Sequence, residues 1–219
     1  MCSLAVRHHK EKRRECARRL HESANAGYLT FASRNGSTKA LGVYALKDAL
    51  RCLTRHKTKD WIMRVDAVKA VLASHGLAEA YMEFEVSSAT VDLAAAAVGC
   101  EPGRIAKSLS VMGADGPMVL VVMGTTRLDN RKFKDAFGCK PRFIKPEDLP
   151  DMVGHPMGGV CPFALRDTVR VYLDASLRNF DPIYPAAGAP NNMVRITLDE
   201  LERITGGTWV DVCKEQQPA

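Results

Sequence analysis

Between Gly154 and Pro162 the chain places three glycines and two prolines in nine residues, Gly154-His155-Pro156-Met157-Gly158-Gly159-Val160-Cys161-Pro162. Glycine admits backbone angles that other residues avoid and lets a ligand come close to the main chain, while proline stiffens both ends. Neither a helix nor a strand uses such a string. The segment is therefore expected to be a shaped loop whose backbone N–H groups are free to meet a ligand. Upstream, Gly99-Cys100-Glu101-Pro102-Gly103-Arg104-Ile105-Ala106-Lys107-Ser108-Leu109 runs from a helix end into a strand that carries one lysine. Lys107 stands in otherwise apolar company, so its side chain must face solvent or a lined cavity. Reactivity enters with Cys161, which lies six residues from His155; a thiol nucleophile needs such a base beside it.

Hydrophobic periodicity supplies a scaffold for these residues from Met63 onward. Val65, Val68, Val71 and Leu72 form one apolar helical face that ends near His75-Gly76. Met82 to Val86 alternates as a half-buried strand. Thr90 is placed to cap an alanine-rich helix ending at Gly99. Residues 105–112 and 118–123 read as strands joined by the hairpin turn Gly113-Ala114-Asp115-Gly116. Residues 129–137 read as a helix stopped by Gly138, and 141–144 as a strand. Pro146-Glu147-Asp148 is expected to open another helix. Further strands are expected at 169–173, 183–187 and 193–196, before Thr197-Leu198-Asp199-Glu200, a capping box for a last helix. Short strands mixed with helices and hairpins predict an α+β fold with a mixed or antiparallel sheet. Residues 1–62 read as a basic N-terminal extension, with a short basic helix or solvated tail at 5–24. Within it, 26–42 reads as a linker and 43–56 as a second short helix.

Four separated stretches resemble the YbaK/ProX family of aminoacyl-tRNA deacylases, which includes the editing domain inserted in bacterial prolyl-tRNA synthetases. They are Ile105-Ala106-Lys107-Ser108-Leu109, the run from Gly124 to Phe133, the G-x-x-x-P loop from Gly158 to Pro162, and Val171-Tyr172-Leu173-Asp174. They fall in the family's order, the resemblance covers roughly Val65 to Ile204, and the domain is expected to occupy residues 63–219. The resemblance implies a mixed, partly barrel-like β-sheet surrounded by helices. It also implies hydrolysis of an aminoacyl ester with no covalent enzyme intermediate, no cofactor and no metal. Such esters are labile, so positioning can supply most of the acceleration. On this reading Gly158, Gly159 and Val160 offer backbone N–H groups as an oxyanion hole or to place the attacking water. Lys107 matches the family's lysine and touches the terminal phosphate or ribose, or orients the ester, as a point charge with three donors. Ser108 hydrogen-bonds the substrate. Cys161 is a small wall residue that tunes pocket size, beside Pro162 at the loop's end, and His155 fixes the loop. Asn130 or Arg127 reaches the nucleotide while Asp129 caps the helix, and Asp174 holds loop amides.

Composition narrows the alternatives. The 219-residue chain carries a formal charge of +6. Residues 1–62 hold 14 Lys and Arg against 5 Asp and Glu, and the remainder holds 17 against 20. The domain must therefore hold RNA through local lysines and arginines and specific contacts to the acceptor end, since bulk charge is lacking. Seven scattered cysteines with no C-x-x-C argue against a disulfide framework and for a reducing, cytoplasmic setting. No apolar run approaches a membrane span, and no P-loop or dinucleotide fingerprint is present. The expectation is a free-standing trans-editing enzyme that removes a wrongly attached small amino acid from tRNA. Its partner is the aminoacyl-tRNA acceptor end, with a synthetase as an optional one. The alternatives are a non-catalytic tRNA-binding or synthetase-associated module with the same fold, and an amidase or thiol hydrolase that uses Cys161.

Overall fold

The computed structural model describes Thr30–Ala32, Thr38–Ala40 and residues 63–215 except Ser87 and Ala89. The chain divides into two compact units, Met1–Lys57 and Thr58–Ala219. In the first, β1 (Thr30–Ala32) pairs antiparallel with β2 (Thr38–Ala40), Phe31 opposite Lys39. The linker expected at 26–42 is thus corrected to a segment holding two paired strands. Threonine and phenylalanine favour strands, and Asn35-Gly36 between the two runs is a hairpin signal that the polar composition masks. The helices expected at 5–24 and 43–56 lie outside the described residues.

The second unit begins with α1 (residues 63–74), which buries Val68 and Leu72 completely and is followed by Gly76 at φ +76°. A single 3-10 turn leads into β3 (Tyr81–Glu83). Next, α2 (Val91–Val98) is capped as expected: the Thr90 hydroxyl accepts from Leu93 N at 3.3 Å, and Gly99 ends it at φ 74°. The two long strands β4 (Ile105–Gly113) and β5 (Gly116–Met123) form an antiparallel hairpin, Lys107 opposite Val122 and Ser108 opposite Val121. After β6 (Thr126–Leu128) comes α3 (Asn130–Phe137), whose first amides at Arg131 and Lys132 donate to the Asp129 carboxylate. Asp129 is a helix cap.

Beyond β7 (Arg142–Phe143), the helix expected from Pro146 starts only at Leu149, as the single turn α4 (Leu149–Met152). Residues 146–148 form a turn closed by Asp148 N donating to Lys145 O. Proline fits only the first helical turn, so Pro150 fixes the start of the helix. The chain continues through β8 (Arg170–Asp174), β9 (Tyr184–Pro185) and β10 (Asn192–Val194). The Thr197–Glu200 capping box then opens α5 (Leu198–Thr205), before β11 (Thr208–Val210) and β12 (Cys213–Glu215).

Six strands make one mixed sheet in the order β11-β8-β5-β4-β7, with β9 also on β4. The β11–β8, β8–β5 and β4–β9 pairs are parallel, and β5–β4 and β4–β7 are antiparallel. Bridges at Ile183–Ile196 and Ala186–Met193 carry the sheet from the β9 region to the β10–β3 ribbon. This is the α+β architecture with a mixed sheet expected from the sequence. β5 is buried on both faces from Met118 onward, as an unbroken apolar run at the centre of a sheet must be. Val119 and Val121 face the larger core with Cys161, Phe163, Leu173 and Leu201. Leu120 and Val122 face a second layer with Val111 and Phe133. Among the described residues no helix is long and apolar enough to cross a membrane, and Cys100, Cys139, Cys161 and Cys213 are free thiols.

Candidate functional site

The outer edge of β4 is interrupted. β7 covers it only at Val111 and Met112, and β9 only at Ile105 and Ala106. The direction of the main chain in between follows from two bonds. Ile105 O accepts from Gly124 N at 2.6 Å, on the β5 side, whereas Ser110 O accepts from Ile144 N at 3.0 Å, on the outer side. Backbone polar groups alternate sides along a strand, so Ser108, in phase with Ser110, turns its N–H and C=O outward where no strand meets them. A cavity of about 470 Å³ opens at this gap. Residues 105–110 form its floor, Val91 and Ala94 of α2 stand on one wall and Leu149 of α4 on another, and Gly158, Val160, Ala189 and Pro190 are among the other lining residues.

Two hydroxyls in this floor are unusual. The Ser108 and Ser110 Oγ atoms are buried and make no hydrogen bond, and Ser110 is only 8% exposed. They lie two residues apart on one strand and so share a face. A buried hydroxyl left unpaired costs about 1–3 kcal/mol, a cost that a ligand hydrogen bond removes. Lys107 takes the other face of β4. Its amine donates to Thr126 O at 2.6 Å, and burial pushes its pKa below the ordinary lysine value, with the nearby Cys213 opposing the shift. An ammonium has three donors, so two remain beyond that bond. Lys107 also lines the cavity.

The glycine-rich loop has a specific shape. Gly159 N donates to Pro156 O at 3.1 Å, and Gly158 sits between them at φ +88°. This is the pattern of a turn that needs a positive φ at its third position. The turn consumes the Gly159 N–H, so of the three amides expected to serve an oxyanion only those of Gly158 and Val160 have no acceptor among the described residues. Gly159 has a packing role instead. A Cβ built there would lie 2.3 Å from Gly188 O, so the loop rests main chain against main chain on the Gly188–Ala189 segment. That segment is pinned in turn by Asn192, which accepts from Ala189 N at 3.0 Å and donates to the Tyr81 hydroxyl at 2.9 Å.

Lys107, Ser108, Gly158 and Val160 therefore meet at one cavity, and the other residues expected there stand elsewhere. Cys161 is fully buried in the larger core. Its sulfur lies 3.6 Å from His155 Nε2, but that nitrogen also lies 2.7 Å from the Phe163 carbonyl oxygen. A carbonyl only accepts, so Nε2 carries the proton and is not a base toward the thiol. Burial moves both groups away from ionisation, raising Cys161 to about 12 and lowering His155 below its ordinary value. Both are tied to Phe163 O, which agrees with the loop-fixing role expected of His155. Pro162 borders a separate depression with Val171 and Ile204. Asp174 is buried and accepts from Ser176 N at 3.0 Å and Val212 N at 2.8 Å, so the amides it holds belong to the β8 and β12 ends rather than to the glycine loop. Asn130 is exposed at the start of α3 and does not line the cavity.

Sequence reasoning missed Ser110, Phe143 and Asn192, whereas Met157, expected as core or pocket lining, does line the cavity. Ser110 was within reach, since strand alternation from Ser108 puts it on the same face. Asn192 carried the weaker signal of a turn-rich run, Gly188-Ala189-Pro190-Asn191-Asn192.

Residues 85–204 match the profile of the family described as aminoacyl-tRNA editing domain. The chain is 43% identical over 135 residues to the uncharacterized protein YwhH of Bacillus subtilis, covering 61% of this chain and 86% of that protein. It is 27% identical over 142 residues to EbsC of Enterococcus faecalis, named as a proposed Cys-tRNA(Pro)/Cys-tRNA(Cys) deacylase, covering 62% and 87%. Among solved structures, a proposed trans-editing enzyme for prolyl tRNA synthetase superposes with a TM-score of 0.64 at 31% identity, over 70% of this chain and 98% of that one. The matched residues hold β4, β5, the glycine loop and every described residue that lines the cavity, and the chain belongs to the aminoacyl-tRNA editing domain family.

Proposed function

We propose that the protein hydrolyses the ester of a mischarged aminoacyl-tRNA carrying a small amino acid, acting in trans through residues 63–219. The observation that supports this reading is the cavity at the open edge of β4, which Lys107, Ser108, Gly158 and Val160 all line and where the Gly158 and Val160 amides have no acceptor among the described residues. Water adds to the ester carbonyl carbon, and the oxygen that becomes negative accepts from those two N–H groups. The carbon–oxygen bond to the ribose then breaks and the ribose oxygen takes the proton, leaving free amino acid and tRNA. Lys107 contributes a fixed positive charge and the two donors beyond its Thr126 bond, placing the substrate without itself removing a proton. Restriction to small side chains is supported by space, because the cavity must be shared with the terminal ribose. The name of EbsC points to cysteine as the first amino acid to test.

The test is release of amino acid from a panel of tRNAs mischarged with cysteine, alanine, serine and larger residues. Release confined to the small members is expected. Lys107→Ala should lower the rate on the best substrate by roughly 100-fold while the thermal midpoint stays near wild type, the scale expected for loss of a positioning group. Release of large and small residues alike would end the size argument. Tight tRNA binding with no release from any member would identify a non-catalytic module.

A further inference from the structure

The stretch Lys140-Pro141-Arg142-Phe143-Ile144-Lys145, which contains β7, has no role in the hydrolytic step. Phe143 is 62% exposed, although phenylalanine is normally a core residue, and it lines the cavity. Met157, 63% exposed, lines the same cavity from the glycine loop. Lys140, Arg142 and Lys145 are exposed around Phe143, and none is paired with an acid among the described residues. Charge gathers here against the trend of the unit. Residues 127–145 hold 7 Lys and Arg against 2 Asp, while 63–219 as a whole hold 17 against 20. The register completes the placement. Phe143 lies opposite Val111 and therefore on the β4 face that carries Leu109 and Lys107, four strand residues from Lys107 or about 13 Å.

We infer that Phe143 is the stacking platform for a base at the single-stranded 3′ end of the RNA, and that Arg142, Lys145 and Lys140 hold the phosphates next to it. An exposed aromatic ring among unpaired cations is the arrangement that takes single-stranded RNA: every base offers a face to stack, and every nucleotide brings a phosphate. The covalent chemistry sets the place. An amino acid esterified to the terminal ribose cannot lie in the cavity unless its own base lies at or beside that cavity, and Phe143 is the exposed aromatic ring that lines it. The inference rests on the proposed reading of the cavity for the position of the ester.

The test uses the full chain and an uncharged acceptor-stem minihelix whose terminal adenine is replaced by 2-aminopurine, a base whose fluorescence is quenched by stacking. Wild type should quench it. Phe143→Ala should abolish the quench and weaken binding about tenfold, while Phe143→Tyr retains both. Because Phe143 is exposed, its removal should leave the thermal midpoint unchanged. Arg142→Gln and Lys145→Gln should each make the slope of log affinity against log salt shallower by about 0.7. An unchanged quench in Phe143→Ala, or no quench with wild type, overturns the inference. Amino acid release measured on the same preparations keeps the two readings apart. Release that is indifferent to Phe143 sinks the platform and spares the hydrolase, whereas a Phe143-dependent quench without release does the reverse.

Discussion

Gly158 and Gly159 are adjacent, and the structure asks different things of them. At Gly158 the demand is conformational: φ is +88° and a Cβ would meet nothing nearer than Pro190 at 3.9 Å. Gly158→Ala should cost about 1–2 kcal/mol, the strain of a left-handed residue, with a tilt of the amide that serves the cavity. At Gly159 the demand is space, since a methyl group would strike the Gly188 carbonyl. Gly159→Ala should cost roughly 1–3 kcal/mol and displace the Gly188–Ala189 wall, so that release falls further than in Gly158→Ala. Equal thermal midpoints for Gly159→Ala and wild type would contradict this packing. His155 makes a pH prediction. Burial is the main cause that lowers its pKa below 6.5, Arg64 adds to the shift, and the bond to Phe163 O opposes it. The folded protein then binds that proton less tightly than the unfolded chain does. Stability from this group is complete above about pH 6.5 and is lost as the pH falls through that value, levelling off below the folded pKa. Thermal midpoints between about pH 8 and pH 5 should therefore drop more steeply in wild type than in His155→Gln. Parallel curves would show that His155 is not the group responsible.

At the scale of elements, the site depends on a strand that is paired fully on one side and incompletely on the other. Lys107 and Leu109 direct their main-chain groups to β5, so the hairpin survives changes on the outer edge. Ser108→Pro removes one outward N–H and the orphaned hydroxyl, at a position where an edge strand tolerates proline. The variant should fold with a stability loss of roughly 1–2 kcal/mol and lose most of its release activity. A folded Ser108→Pro protein with normal turnover would mean that the edge gap is not where the substrate is read. The helices were largely legible beforehand: Thr90, Asp129 and Thr197 are caps, and Gly99, Gly138 and Gly206 close the same helices at positive φ. The three-residue strands β6, β11 and β12 were not. A strand of that length has too few positions to display alternation, and its identity comes from the partner it meets.

For the whole molecule, no described residue that lines the cavity precedes Ser88. A chain shortened to begin at Thr58 should keep the whole second unit and release amino acid at close to the wild-type rate once saturated. The positive excess of the removed segment bears on affinity, because phosphate contacts release counterions in proportion to their number. The shortened chain should bind tRNA more weakly and with a shallower salt dependence. An unchanged slope would separate residues 1–57 from RNA binding, and an insoluble product would show that the second unit needs them.

The sequence by itself determined the α+β class, the long β4–β5 hairpin, most helix ends and the glycine-rich loop. These rest on local chemistry: periodicity of apolar residues, side chains that cap, and glycine where φ must be positive. It also singled out Lys107, Ser108, Gly158 and Val160, which converge on one cavity. Only the tertiary structure decided which way loop residues face, since a loop has no period to read. That is why Cys161 proved to be core, and why the Gly159 amide proved to be consumed by its own turn. The opening in the β4 edge is likewise tertiary. It exists because β7 and β9, more than thirty residues on average from β4 along the chain, arrive at its two ends and leave Ser108 between them unpaired.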